Sequence, residues 1–138
     1  MKTIILNILI IASITLAVQS CKDKNNCHAG KGGNLTIVAF PQHHGCTIIN
    51  HVGWPDTVFV KYNAQEFPGT NPASYDTIYV GEVHEDHVHV EGLKCGDYYL
   101  YAVGFDSTCH GPVRVTGGIP YSTKQESGEV EVNIPITE

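Results

Sequence analysis

The segment that decides the fold is residues 87–102, HVHVEGLKCGDYYLYA. Its first half alternates histidine or glutamate with valine, and its second half is rich in tyrosine. Such alternation places every second side chain on the same face of a β-strand. Gly92 and Gly96 permit a tight turn between the two halves, because glycine adopts positive φ angles without strain. We therefore expect two strands joined by a turn, with Leu93 directed into the core.

The chain beyond residue 33 shows the same rhythm of short strands and turns, with no convincing helix. In the last predicted strand, Val130, Val132, Ile134 and Ile136 share one face. Pro135 predicts that this strand lies at a sheet edge, because proline cannot donate to a β-ladder. The pattern predicts an all-β, antiparallel Greek-key β-sandwich of about seven strands. Strands are expected at 35–40, ended by Pro41, and at 57–62, 75–80, 86–91, 97–103, 113–115, 119–122 and 128–137.

Segment 87–102 resembles a hairpin of transthyretin-like and carboxypeptidase-regulatory-like domains, in which Gly-Leu-x-x-Gly leads into a Tyr-rich strand. The resemblance implies a transthyretin-like sandwich in which these two strands pair as a hairpin. The stretches LTIVAFP, VKYN, YYLYA and GGIPY are also similar to a group of small Bacteroidetes lipoproteins with no assigned activity. Such sandwiches serve as adhesion, spacer and carrier modules, so the fold alone assigns no function.

Residues 1–21 predict the leader and anchor of a lipoprotein. Lys2 is the only charge in this stretch, and the apolar run at 4–18 is shorter than the roughly 20 residues that a membrane-spanning helix needs. Val-Gln-Ser-Cys at 18–21 resembles the lipobox of bacterial lipoproteins. The resemblance implies cleavage before Cys21 and attachment of diacylglycerol to its sulfur. The alternative is an ordinary secretory signal with Cys21 as a thiol.

The anchor sets the expected organisation and location. We expect a signal peptide at 1–20, a lipidated cysteine and flexible tether at 21–33, and one β-sandwich domain at 34–138. Two or three acyl chains on Cys21 would hold the protein on a lipid bilayer. The expected location is the bacterial cell envelope, at the outer membrane, facing the periplasm or the exterior.

The charge balance excludes other kinds of partner. The chain has 14 acidic and eight basic residues and a formal net charge of −6. Its only arginine is Arg114, and no basic cluster occurs. An acidic chain without a basic patch argues against nucleic-acid binding and against electrostatic attraction to anionic lipids. Membrane association is therefore expected through the acyl chains.

Four cysteines remain once Cys21 is lipidated. An even number in an oxidising compartment favours two disulfides, with three possible pairings. A bridge between Cys95 and Cys109, which both fall in predicted loops, is one of them. Free thiols are an alternative, and so is a Zn²⁺ or Cu⁺ site, since three of these cysteines have a histidine within two residues. The four candidates are Cys27, Cys46, Cys95 and Cys109.

Eight histidines are an excess in a chain of this size, and two of them suggest a metal site. His87 and His89 would project from the same strand face about 6.5–7 Å apart. With Val88 and Val90 in the core, both imidazoles would face solvent, where such a pair can chelate Zn²⁺, Cu²⁺ or Ni²⁺. The alternative is that they are only the polar side of an alternating strand. Further candidate ligands are His84, Glu85, Asp86, His43 and His44.

No motif of a known catalytic type stands out. The sequence has no nucleophile elbow, phosphate-binding loop or metalloprotease motif, so we expect no enzymatic activity. The tyrosines could form a carbohydrate or peptide surface, although in a sandwich they are more often core. The sequence predicts a lipid-anchored, non-enzymatic module that engages another envelope protein or a ligand. The alternative is a metal-binding lipoprotein whose cofactor is a divalent transition metal.

Overall fold

The computed structural model describes residues 27–138. The predicted signal peptide, Cys21 and the first part of the predicted tether lie outside the described residues. Within residues 27–138 the only helical element is one 3₁₀ turn at Pro72–Ser74. No helix in this range has the length and hydropathy needed to cross a membrane.

In the part of the chain that the structure describes, eight strands form two four-stranded sheets. They are β1 (Lys31–His43), β2 (Cys46–Thr47), β3 (Thr57–Tyr62), β4 (Thr77–Val80), β5 (Val88–Leu93), β6 (Gly96–Asp106), β7 (Val113–Thr123) and β8 (Ser127–Ile136). In the first sheet, β8 runs along one side of β1, and β5 and β2 run along the other. The second sheet has the order β4-β3-β6-β7. The predicted all-β sandwich is therefore confirmed, with β7 as one strand where the sequence predicts two.

The core lies between the two sheets and follows the period-two pattern of the sequence. Leu35 and Ile37 of β1 have no exposed surface, nor do Val88 of β5 and Leu100 of β6. Tyr98 is also fully buried, and its hydroxyl donates a hydrogen bond of 2.6 Å to the Lys94 carbonyl. Burial of alternate apolar side chains from both sheets is the main stabilising contribution in such a sandwich.

Segment 87–102 forms two strands but not the predicted hairpin. β5 pairs with β1 in the first sheet, whereas β6 pairs with β3 and β7 in the second. The connection at 94–95 therefore crosses between the sheets, with Leu93 fully buried beside it. Gly92 and Gly96 have φ angles of 72° and 144°, as a sharp change of direction requires. The crossing lets the apolar faces of β5 and β6 pack across the core, which strands side by side in one sheet would not do.

Pro41, Pro120 and Pro135 lie inside strands, and two of them bear on the predictions from sequence. Pro135 lies in β8, which in the described chain pairs along its length with β1 alone and is an edge strand, as predicted. The prediction that Pro41 ends the first strand is wrong, because β1 continues to His43. The Pro41 carbonyl accepts a hydrogen bond from the Ile48 N–H at 3.1 Å. Pro41 has no N–H to return this bond, so one ladder hydrogen bond is lost there, but β1 continues because Gln42 and His43 pair with Thr47 and Cys46.

One pairing departs from the expected antiparallel arrangement. β1 and β8 run parallel over the whole interval from Asn34↔Ser127 to His43↔Ile136, while the other strand pairs are antiparallel. The parallel pair brings the end of β8 beside the end of β1. It therefore places Glu138 next to His43, which matters for the sites below.

The ordered domain begins earlier than the predicted boundary at residue 34. β1 starts at Lys31, Ala29 is buried in the core, and Cys27 is bonded to Cys95. Gly33 has no room for a side chain, because a Cβ there would overlap the backbone of Leu93. Residues 27–33 therefore belong to the domain and not to a flexible tether.

Two disulfides are present among residues 27–138, as the even number of cysteines there favours. Cys27 pairs with Cys95, with their Cα atoms 4.9 Å apart, and Cys46 pairs with Cys109, with their Cα atoms 6.1 Å apart. A Cys95–Cys109 bridge is not formed, because these residues lie at opposite ends of β6. The four cysteines are thereby used in covalent bonds and not as metal ligands.

Candidate metal-binding sites

His87 and His89 lie together on the outer face of the first sheet, as the sequence predicts. Val88 lies between the two histidines in sequence and Val90 follows His89, and both valines are fully buried. The two imidazoles therefore project away from the core. The Nε2 atoms of His87 and His89 are 3.0 Å apart, and their ring centroids are 4.8 Å apart. The Phe40 ring packs beside His87, with the ring centroids 5.4 Å apart.

Carboxylates surround this histidine pair. Asp86 Oδ1 is 2.8 Å from Nδ1 of His87, and Glu85 Oε2 is 3.0 Å from its Nε2. The pair opens into a surface cleft of about 210 Å³. The cleft is lined by Val80, Glu82, Glu85, His87, His89 and Glu91. Nitrogen and oxygen donors therefore converge in one small, acidic cleft.

The buried side chain of Asn50 fixes the turn that carries these groups. Its Nδ2 donates to the carbonyls of Glu85 and His87 at 2.9 and 3.2 Å. Its backbone N–H donates to the same Glu85 carbonyl, and its own carbonyl accepts from the His84 N–H. The segment from 84 to 87 is thus tied to the loop before β3, which reduces the entropy lost when the side chains bind a ligand.

His84, predicted as a further ligand, is not brought into the cleft. It occupies a left-handed position in the turn, with φ of 75°, and its side chain is exposed. In the described chain it is not among the residues that line the cleft. Its contribution is the backbone hydrogen bond to Asn50.

His43 and His44 do not join His87 and His89, which corrects the expectation that one site could recruit all of them. In β1, Val38 pairs with His89 on the outer face. His43 is five residues further along, so it points to the opposite, inner face. Its side chain is only 2% exposed and is bound to Asp106 of the second sheet. His44 lies in the following turn, with φ of 50°.

His43 forms the centre of a second cluster. Its Nδ1 is 2.8 Å from Asp106 Oδ2, and its Nε2 is 2.8 Å from Glu138 Oε2. His44 Nε2 is 3.8 Å from the same Glu138 oxygen. The ring of His110 packs edge-on against both histidine rings, at 5.3 and 5.2 Å between centroids.

The electrostatics of this cluster favour a charged pair. Hydrogen bonds to Asp106 and then to Glu138 raise the pKa of His43, against the lowering effect of burial. Burial by itself would raise the pKa of Asp106. The hydrogen bonds from His43 and from the N–H groups of Cys109, Thr108 and His110 outweigh that effect and lower it to about 2. Asp106 is therefore an ionised, fully buried carboxylate.

Sequence reasoning missed Asn50, Asp106 and Glu138, and considered His110 only as a neighbour of Cys109. Asp106 is fully buried at the end of β6. An acidic residue that directly follows an apolar strand is the one local signal in the sequence that could have identified it. Asn50 and Glu138 carry no local signal. Their roles arise from contacts across 35 and 95 residues of sequence.

A third feature is an aromatic groove around Trp54. Trp54 is 51% exposed and stacks on Phe105, with centroids 5.7 Å apart. Arg114 Cζ lies 5.5 Å from the centroid of the Trp54 ring. The groove encloses about 240 Å³. By contrast, Tyr98, Tyr99 and Tyr101 are buried, so these tyrosines serve as packing.

Comparison with known proteins adds no assignment to these sites. No protein-family model, no curated protein and no solved structure matches the chain.

Proposed function

We propose that this protein is a non-enzymatic binding module whose ligand is a divalent transition-metal ion, held by His87 and His89. With the lipid anchor expected at Cys21, the site would lie outside the cytoplasm, in the cell envelope. The observation that carries the proposal is the 3.0 Å separation of the two Nε2 atoms.

That separation suits a shared ion. Histidine nitrogens bind Zn²⁺ at about 2.0–2.1 Å, so two ligands in tetrahedral geometry lie about 3.3 Å apart. The His87 and His89 nitrogens need to move by only a few tenths of an ångström to meet this value. The strand backbone supplies the geometry, because residues at i and i+2 share a face.

Asp86 prepares His87 for this role. A carboxylate on Nδ1 keeps the proton on that nitrogen, which leaves the lone pair of Nε2 directed at the ion. The 2.8 Å contact between Asp86 Oδ1 and His87 Nδ1 is of this kind. The same arrangement fixes the ring orientation and increases the basicity of the ligating nitrogen.

The remaining donors define the ion class. Glu85 is the nearest oxygen donor, and Glu82 and Glu91 add negative charge to the cleft wall. Two imidazoles with a carboxylate suit Zn²⁺, Cu²⁺ or Ni²⁺ better than Mg²⁺ or Ca²⁺, which prefer oxygen-only shells. A cleft of about 210 Å³ is smaller than most organic-ligand pockets, which enclose roughly 300–1,000 Å³. This size suits an ion with its ligands.

Isothermal titration of Zn²⁺ into the full-length protein in detergent tests the proposal. We expect stoichiometric, submicromolar binding that a His87→Ala/His89→Ala variant loses at this site. His28→Ala is the matched control, because His28 is exposed and lies outside both histidine clusters. Unchanged affinity and stoichiometry in the double variant would refute the proposal.

The Trp54 groove favours a second candidate, an interaction module that recognises a partner bearing an apolar group beside an acidic one. The exposed indole offers a stacking face, and Arg114 offers a charge next to it. Because Trp54 is the only tryptophan, its fluorescence reports binding directly. Titration with short peptides that pair aromatic and acidic residues should change the emission, and Arg114→Ala should weaken the binding. No response to any such peptide would argue against this candidate.

A further inference from the structure

The cluster around His43 brings together candidate ligands from two distant parts of the chain, the end of β1 and residue 138. One ligand atom from each of His43, His44 and Glu138 can be chosen so that all three lie within 4.8 Å of one another. The His43–Glu138 and His44–Glu138 distances of 2.8 and 3.8 Å bracket the roughly 3.3 Å expected between ligands of one tetrahedral ion. The parallel β1–β8 pair creates this proximity, because it ends beside residue 43.

The buried side of the cluster resembles the support of a metal ligand. Asp106 Oδ2 is 2.8 Å from Nδ1 of His43, and both side chains are at most 2% exposed. Three backbone N–H groups, of Thr108, Cys109 and His110, donate to the same carboxylate at 2.8–3.0 Å. Asp106 is thus fixed in place and orients Nε2 of His43 toward Glu138. Such carboxylate support is the usual outer partner of a metal-bound histidine.

The outer side of the cluster is open to solvent, and its side chains are held in position by their neighbours. His44 and Glu138 are 58% and 62% exposed, so an ion can enter from solvent. The Cys46–Cys109 disulfide joins the turn after His44 to the loop before His110. His110 then packs edge-on against the rings of His43 and His44. The donors are therefore arranged before any ion arrives.

A dication can take the place of the proton that lies between His43 Nε2 and Glu138 Oε2. Asp106 and Glu138 place two carboxylates on opposite sides of one imidazole. A dication bound to the neutral imidazole would balance both acids, and nitrogen ligands with one oxygen select a borderline ion. We infer that His43, His44 and Glu138 form a second site for a Zn²⁺-class divalent ion, on the inner face and separate from the His87–His89 cleft.

This site does not depend on the proposed function, and the test separates the two. Zn²⁺ is titrated into the full-length protein and into three variants: His44→Ala/Glu138→Gln, His87→Ala/His89→Ala, and the combination of all four changes. We expect two ions per chain in the parent, one in each double variant, and none in the fourfold variant. His44 and Glu138 are exposed, so their substitution leaves the buried His43–Asp106 pair in place. Circular dichroism and the denaturation midpoint verify folding.

The decisive comparison is made in the His87→Ala/His89→Ala background. There, addition of His44→Ala alone should weaken Zn²⁺ binding at least tenfold, and Glu138→Gln should weaken it similarly. Equal binding with and without these changes would overturn the inference, whatever the outcome at the other site. Conversely, loss of all binding in His44→Ala/Glu138→Gln, with none lost in His87→Ala/His89→Ala, would support the second site and refute the first. With Co²⁺ as the probe, visible absorption that disappears in His44→Ala is an independent confirmation.

Discussion

Asn50 Oδ1 accepts a hydrogen bond of 2.6 Å from the backbone N–H of Asp56, and this contact holds Asp56 in the interior. Asp56 is 0% exposed, and neither of its carboxylate oxygens has a hydrogen-bond partner among residues 27–138. Burial raises its pKa to about 7, against a smaller lowering by the nearby Phe105 N–H. That N–H lies close to the carboxyl without making a hydrogen bond of normal geometry.

The buried acid predicts an unusual dependence of stability on pH. The pKa of Asp56 rises from 3.8 in the unfolded chain to about 7 in the folded one, so the folded state binds more protons between these values. The free energy of unfolding should therefore fall as pH rises from about 4 to about 7, by up to about 4 kcal/mol. Asp56→Asn should remove the Asp56 part of this fall and be the more stable protein at pH 8, while the raised pKa of His43 leaves a fall above about pH 6.5 in both proteins. Denaturant unfolding at pH 4.5 and 8 measures the effect.

Glu129→Gln is the matched control for that experiment, because Glu129 is an exposed carboxylate on β8. Its unfolding profile against pH should follow the parent. A parallel fall in stability for Asp56→Asn and the parent would contradict the assignment of the effect to Asp56.

Removal of the Asp86 carboxylate should weaken metal binding while both histidine ligands remain. Asp86→Asn takes away the charged partner of His87 Nδ1, and loss of such a partner typically costs about 10- to 100-fold in affinity. Zn²⁺ titration in the His44→Ala/Glu138→Gln background isolates this site. Unaltered affinity would mean that Asp86 does not orient His87.

Gly96 should not tolerate a side chain. A Cβ there would overlap the backbone of Ala29, and the φ of 144° is strained for other residues. We expect Gly96→Ala to lower the free energy of unfolding by about 3 kcal/mol or more. Gly92→Ala is the comparison, since its φ is 72° but its Cβ would meet open space, and it should cost only about 1 kcal/mol. Similar losses for the two variants would show that contact with Ala29 is unimportant.

The Cys27–Cys95 disulfide should be a major source of stability. It closes a loop with a sequence separation of 68 residues, and the loss of entropy in the unfolded chain corresponds to about 4 kcal/mol. Cys27→Ser/Cys95→Ser should therefore shift the denaturation midpoint far downward. A shift equivalent to less than about 1 kcal/mol would show that the segment before β1 is held by packing alone.

The elements that the sequence predicts well are those governed by local periodicity. The strand predicted at 57–62 coincides with β3, and the predicted shared face of Val132, Ile134 and Ile136 is buried. The placement of His87 and His89 on the outer face is also local, since it depends only on the alternation with Val88 and Val90. Of the two candidate metal sites, the one at His87 and His89 could therefore be predicted from the sequence.

Strand partners were harder to predict, because a turn permits more than one pairing. The Gly-Leu-x-x-Gly stretch fits a hairpin and also a crossing between sheets. The choice depends on the edges that β1 and β3 offer to β5 and β6. Likewise, β1 continues past Pro41 because β2 and β8 pair with the residues that follow it.

The sequence by itself determined that this chain forms short alternating strands, that its cysteines can pair, and that two histidines share a strand face. These properties follow from side-chain periodicity and residue chemistry within a few positions. Only the tertiary structure decided which sheets the strands join, which cysteines pair, and that His43, Asp106 and Glu138 meet. Those residues are far apart in sequence, and the parallel β1–β8 pair and the packing of the two sheets bring them together.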